Sequence, residues 1–219
     1  MSAIHDRRLR KFLQAGLYPV TSETMSAGRR TPDIIRAALA GGVKLVQLRE
    51  KELAPDPFVE LAGEARRLTA DAGALLIINA RLDVALAVGA DGVHLGRNDT
   101  PVDEARRLAP DLIIGASSHS MEEALDAEKR GASYVNIGPL FPTKTKAWDS
   151  RFLGLEGLKR IAPAVSIPFT VMGGIKMEHV RDLAAAGART LAVITAITAA
   201  PDPEQAARAF LAELARCHG

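Results

Sequence analysis

One phrase recurs along this chain and limits what it can become. Short apolar runs alternate with stretches of helical period, and five of those stretches end on glycine just ahead of the next run. The joints are Gly41-Gly42-Val43, Gly73-Ala74-Leu75, Gly89-Ala90-Asp91-Gly92-Val93, Gly131-Ala132-Ser133-Tyr134-Val135 and Gly187-Ala188-Arg189-Thr190-Leu191. Glycine past the last helical turn supplies the left-handed residue that ends a helix. The runs are apolar throughout rather than alternating, as strands covered on both faces are. Strands are expected at 17–21, 43–48, 75–78, 92–95, 112–116, 134–137, 168–171 and 190–194. Helices are expected at 31–40, 56–72, 82–88, 101–108, 120–130, 153–162, 177–186 and 202–216, the first capped by Thr31 with Pro32 in its first turn.

Eight such units in roughly 200 residues favour the α/β class and a closed (β/α)8 TIM barrel. An open doubly wound sheet is the alternative. No linker of Pro, Gly or Ser divides the chain, so residues 1–219 read as a single domain. Residues 1–15 read as an N-terminal helical extension, with Leu9, Phe12 and Leu13 on one side.

Composition then removes whole classes of function. The formal net charge is +2, which does not point to nucleic acid, so anion binding must come from local placement of charge. One cysteine, Cys217, excludes an internal disulfide framework and a cysteine-rich metal site. No apolar run reaches the ~20 residues of a membrane helix. The N-terminus has no apolar leader. The expectation is a cytoplasmic enzyme or binding protein acting on small molecules, with homo-oligomerisation left open.

In a barrel of this kind the loops at the C-terminal ends of the strands build the site. The second strand ends in Gln47-Leu48-Arg49-Glu50-Lys51; extended, it turns Gln47, Arg49 and Lys51 the same way. An arginine fork beside a lysine point charge suits a polyphosphate. Asn79 follows the third strand. Asp99 follows the fourth, a carboxylate suited to Mg²⁺, which often takes one or two protein carboxylates with phosphate oxygens and water. His94 reads as a hydrogen-bonded core histidine. Ser117 follows the fifth strand, and Ser118 or Ser120 can cap the next helix. The sixth leads into Gly138-Pro139-Leu140-Phe141-Pro142-Thr143-Lys144-Thr145-Lys146, where Thr143 and Thr145 alternate with Lys144 and Lys146. Gly173-Gly174 and Ile194-Thr195 follow the last two strands, the usual phosphate position in such barrels. Two anion stations result, one cationic and one of backbone amides.

These segments resemble thiamine-phosphate synthases. The resemblance is carried by Gln47-Leu48-Arg49-Glu50-Lys51, by Ala90-Asp91-Gly92-Val93-His94-Leu95-Gly96, by Gly138 to Lys146 and by Gly173-Gly174-Ile175. It runs from about Leu17 to Phe210. It implies a Mg²⁺-dependent transferase joining 4-amino-2-methyl-5-(diphosphooxymethyl)pyrimidine to 4-methyl-5-(2-phosphoethyl)thiazole, with thiamine phosphate and pyrophosphate as products. It also implies that Gln47, Leu48, Arg49, Glu50, Lys51, Asn79, Ser117 and Lys146 bind the pyrimidine diphosphate. Thr143, Lys144, Thr145, Gly174, Ile194 and Thr195 would hold the thiazole phosphate, Asp99 would ligate Mg²⁺, and Arg49, Lys51 and Lys146 would be catalytic. One position departs: Ala80 stands where the family pattern has an aspartate that is a second metal ligand. Two other readings follow from the same residues. One is a thiazole tautomerase using His119; the other is a phosphate-ligand-binding protein without catalysis.

Overall fold

The computed structural model describes residues 2–143 and 152–218. Eight parallel strands are laid out as the repeating phrase predicts: β1 (Leu17–Pro19), β2 (Leu45–Leu48), β3 (Leu75–Asn79), β4 (Gly92–Leu95), β5 (Ile113–Ser118), β6 (Tyr134–Ile137), β7 (Phe169–Val171) and β8 (Thr190–Val193). Each strand from β2 to β8 pairs in parallel with the one before or after it, and β8 pairs with β1 through Leu17–Leu191, Tyr18–Ala192 and Pro19–Val193. The ring closes between β1 and β2 on one parallel bridge, Val20 with Gln47, and the Thr21 N–H donates to the Gln47 carbonyl at 2.9 Å. The open doubly wound sheet is thereby excluded.

Alternation along each strand sorts its residues between two cores. One set packs outward against the helices, including Val46, Leu48, Ile78, Val93, Ile114 and Leu191. The other fills the barrel: Tyr18, Val20, Leu45, Leu75, Ile77, Ile113, Tyr134 and Ala192. Two glycines make room inside. A Cβ on Gly115 would lie 2.2 Å from Tyr134 Cζ, and one on Gly92 would lie 2.3 Å from the Ile113 carbonyl oxygen. Gly115 is the register partner of Tyr134, so glycine on β5 is what admits the tyrosine ring on β6.

Helix α1 (Ala3–Leu13) seals the N-terminal end of the barrel. Its Phe12 ring lies 4.4 Å from that of Tyr134 and 6.2 Å from that of Tyr18. The inward stripe is His5 and Phe12, both buried, with the partly buried Leu9 between them at helical spacings of four and three, not the expected Leu9, Phe12 and Leu13. Leu13 is 46% exposed, because it stands about 100° round the helix from Phe12. His5 is fully buried, with Nε2 at 2.9 Å from Ser133 Oγ. Arg8 reaches the Asp91 carboxylate and the Asp111 carbonyl.

The outer helices are α2 (Thr31–Ala40), α3 (Pro55–Asp71), α4 (Leu82–Ala87), α5 (Val102–Leu108), α6 (Met121–Lys129), α7 (Gly154–Ile161), α8 (Val180–Ala185), α9 (Thr195–Thr198) and α10 (Pro203–His218). Thr31 is not the cap of α2 as expected. Arg30 holds that position, and Thr31, already helical, gives its hydroxyl hydrogen to Glu50 and its N–H to Glu23. Ser120 does cap α6, accepting the Glu123 N–H. The single turn α9 was not expected; it follows β8 without a capping residue.

Candidate active site

At the C-terminal mouth of the barrel lies a cavity of about 780 Å³. Gln47, Arg49, Lys51, Asn79, Asp99 and Ser117 all line it. So do Thr143, Gly174, Ile194 and Thr195 on the opposite loops. Leu48 and Glu50 do not. Alternation along β2 turns Leu48 into the apolar layer under the helices, where it is fully buried. Glu50 turns back on its own side of the rim. It accepts the Glu23 N–H at 2.8 Å and the Thr31 hydroxyl at 2.7 Å, and so pins the loop between β1 and α2. Lys144, Thr145 and Lys146 lie outside the described residues.

The cationic side is built by the end of β2. The Arg49 N–H donates to Thr21 Oγ1 at 2.9 Å, fixing the backbone as it leaves the strand. Its guanidinium is half-buried and has no hydrogen-bond partner among the described residues. Burial pulls its pKa below the ordinary value, with Glu50 and Glu52 pulling the other way. Arginine stays charged regardless, so a partly desolvated cation lines the cavity. Lys51 and Lys176 add further cations to the lining, and Asp99 is the one carboxylate among its described residues. Asp99 Oδ2 accepts the Gly96 N–H at 2.7 Å, tying the β4 loop around it. Asp99 is not a helix cap, since Pro101 holds that place on α5.

Across the cavity, the loops after β6 and β7 lock into one another. Leu140 N–H donates to the Met172 carbonyl at 2.9 Å, and Phe141 N–H to that of Gly173 at 3.0 Å. Gly173 and Gly174 have φ of +102° and +63°. A Cβ on Gly174 would sit 2.4 Å from the Pro142 carbonyl oxygen, so only glycine allows this approach. The Gly174 N–H donates to no backbone carbonyl among the described residues, and an amide so presented can meet an oxyanion. Ile194 and Thr195 approach the same end of the cavity from β8.

The floor of the cavity is polar and hydrogen-bonded across six strands. Asn79 Nδ2 donates to Gln47 Oε1 at 3.0 Å, and Gln47 Nε2 donates to the Tyr18 hydroxyl at 2.8 Å. The Tyr18 and Tyr134 hydroxyls are 2.9 Å apart. His94 Nδ1 lies 3.0 Å from the Tyr134 hydroxyl, and His94 Nε2 lies 3.0 Å from Ser117 Oγ. His94 is thus the bonded core histidine the sequence suggests; burial pulls its pKa down to about 4, so it is neutral at pH 7. Tyr18 and Tyr134 went unmarked in the sequence. Their signal was there: the chain has only two tyrosines, and both interrupt apolar strand runs with a polar tip.

Residue 80, at the rim beyond Asn79, has φ of +64° and its N–H donates to the His94 carbonyl. Asp83, one turn on, brings no carboxylate to the cavity lining. It is two-thirds exposed and pairs with Arg81 at 2.7 Å. His119 lines the cavity with Nδ1 at 2.8 Å from Glu123.

Comparison with known proteins supplies the family. Residues 17–197 match the family model described as thiamine monophosphate synthase. The thiamine-phosphate synthase of Shouchella clausii is 43% identical over 199 residues, 90% of this chain and 95% of that one. That of Pyrococcus abyssi is 46% identical over 192 residues, 87% and 90% of the two chains. Among solved structures, thiamine phosphate pyrophosphorylase from Pyrococcus furiosus superposes with a TM-score of 0.87 at 39% identity, covering 94% of this chain and 98% of that one. A closed barrel of eight parallel strands, matched over nearly its whole length by these proteins, belongs to the thiamine monophosphate synthase family.

Proposed function

We propose that this chain joins 4-amino-2-methyl-5-(diphosphooxymethyl)pyrimidine to 4-methyl-5-(2-phosphoethyl)thiazole, releasing thiamine phosphate and pyrophosphate. The observation that carries this is the half-buried Arg49 guanidinium, without a hydrogen-bond partner among the described residues, lining one cavity with Gly174. A diphosphate and a monophosphate need two such stations at once.

Arg49 and Lys51, with Lys146 from the loop after β6, bind the diphosphate and neutralise the charge it gains on leaving. Thr143, Lys144, Thr145, Gly174 and Thr195 hold the thiazole phosphate. The pyrimidine's amino group pushes electrons into its ring, so the bond from methylene carbon to diphosphate oxygen breaks with its electron pair going to pyrophosphate. The thiazole nitrogen then gives its lone pair to that carbon. No protein base is required, and the barrel contributes position and charge. Ile194 and Gln47 bound the rings, and Asn79 and Ser117 meet the pyrimidine.

The donor set fits a divalent cation of the oxygen-seeking kind. Among the described residues no three carboxylate, histidine or cysteine groups cluster. Asp99 keeps Oδ1 free of any described partner, and one carboxylate completed by diphosphate oxygens and water is within what Mg²⁺ accepts. Mg²⁺ held there supplies Lewis-acid neutralisation of the leaving diphosphate.

One assay tests the reading. Both substrates are mixed with and without Mg²⁺, and pyrophosphate and thiamine phosphate are followed. Equal release of the two products, with Asp99→Ala raising the Mg²⁺ needed for half-maximal rate about tenfold, is expected. Thiazole tautomerisation without release, or binding without turnover, refutes it.

A further inference from the structure

The hydrogens of the cavity floor can be assigned one by one. Gln47 Oε1 accepts from Asn79, so its Nε2 donates to the Tyr18 oxygen. The single Tyr18 hydrogen then has one acceptor in reach, the Tyr134 oxygen at 2.9 Å. Were Tyr134 to donate to Tyr18 instead, the Tyr18 hydrogen would be buried without an acceptor, which costs roughly 1–3 kcal/mol. Tyr134 therefore gives its hydrogen to His94 Nδ1. A neutral imidazole has one hydrogen, so it sits on Nε2 and is donated to Ser117 Oγ. The Ser117 hydrogen is left over, and Ser117 borders the cavity. All five links run in one direction, from Asn79 to Ser117.

We propose that Tyr18, Tyr134 and His94 are positioning residues that hold the Ser117 hydroxyl as a donor toward the pyrimidine, so the floor selects a ring nitrogen with a free lone pair. The proposal rests on the function argued above. A 4-aminopyrimidine offers such a nitrogen beside its amino group. The 4-oxo analogue carries N–H at that position, and two donors would face each other. The selection is made by a hydrogen bond three residues removed from the substrate, and removing one interior hydroxyl is enough to release it.

The tautomer is read directly. In protein labelled with ¹⁵N in its histidine rings, His94 at pH 7 shows Nε2 protonated and Nδ1 bare; in Tyr134→Phe the two tautomers mix. A wild-type His94 protonated at Nδ1 overturns the proposal. In turnover, Tyr134→Phe raises KM for the pyrimidine diphosphate roughly tenfold, one hydrogen bond's worth. KM for the thiazole phosphate stays unchanged, and discrimination against the 4-oxo diphosphate narrows. Ser117→Ala combined with Tyr134→Phe loses no more than Ser117→Ala alone; additive losses, or equal rises in both KM values, overturn it. The wild-type His94 tautomer needs no variant and decides the assignment if Tyr134→Phe does not fold. Absence of turnover in wild type refutes the parent function, while the His94 tautomer still decides the hydrogen-bond assignment.

Discussion

Ala80 carries a Cβ into the left-handed region at φ +64°, where a non-glycine residue pays roughly 1–2 kcal/mol. Asparagine and aspartate tolerate that conformation better, because their short polar side chains bond locally. Ala80→Asn is expected to raise stability by about 0.5–1 kcal/mol, read from the urea midpoint at constant slope. Ala80→Asp gains the same relief and adds a carboxylate at the rim. It should therefore lower the Mg²⁺ concentration for half-maximal rate severalfold, which Ala80→Asn should not do. Equal metal titrations for the two variants would remove residue 80 from the metal's surroundings. The departure at Ala80 is visible in the sequence, but its left-handed backbone is not. That conformation is set by the hydrogen bond to His94 on the next strand, which no local pattern encodes.

At the scale of elements, the loops after β6 and β7 act as one unit, since each borrows the other's backbone for its hydrogen bonds. Gly174→Ala puts a Cβ 2.4 Å from the Pro142 carbonyl at a positive φ. The loops must separate, so KM for the thiazole phosphate should rise at least tenfold and stability fall by about 1–3 kcal/mol. Unchanged KM would detach this glycine from the phosphate. The strands themselves were legible, because a parallel strand buried on both faces leaves a continuous apolar run. The convergence of Arg49, Asp99 and Gly174 was legible only through the rule that barrel strands end at a common mouth. Glu50 was not, since its turn toward Thr31 depends on the path of a different loop. Nor was the buried side of α1, because His5 interrupts its apolar stripe. The one-turn α9 has neither cap nor period to announce it.

The whole molecule buries two histidines, His94 within the barrel and His5 on α1. Burial lowers the pKa of His94 to about 4 from 6.5, and burial is also the main cause of the lowered value for His5, with Arg106 adding to it and Asp6 opposing. In the unfolded chain both take protons near pH 6.5, where the folded chain resists them. Stability is therefore complete above that pH and declines as the pH falls toward 4. His94 alone should account for about 2 kcal/mol between pH 7.5 and pH 5. Urea unfolding at the two values measures it, and His94→Gln should flatten the slope; an equal slope in the variant would assign the loss to other groups.

Gln47 has a double place in this architecture. Its backbone carries the lone bridge that joins the first strand to the second, while its side chain sits in the floor beneath the ligand. The stitch that turns a curved sheet into a tube is thus also a piece of the receptor. Any breathing that parts this seam must disorganise recognition in the same motion, and an occupied pocket must in turn tighten the tube.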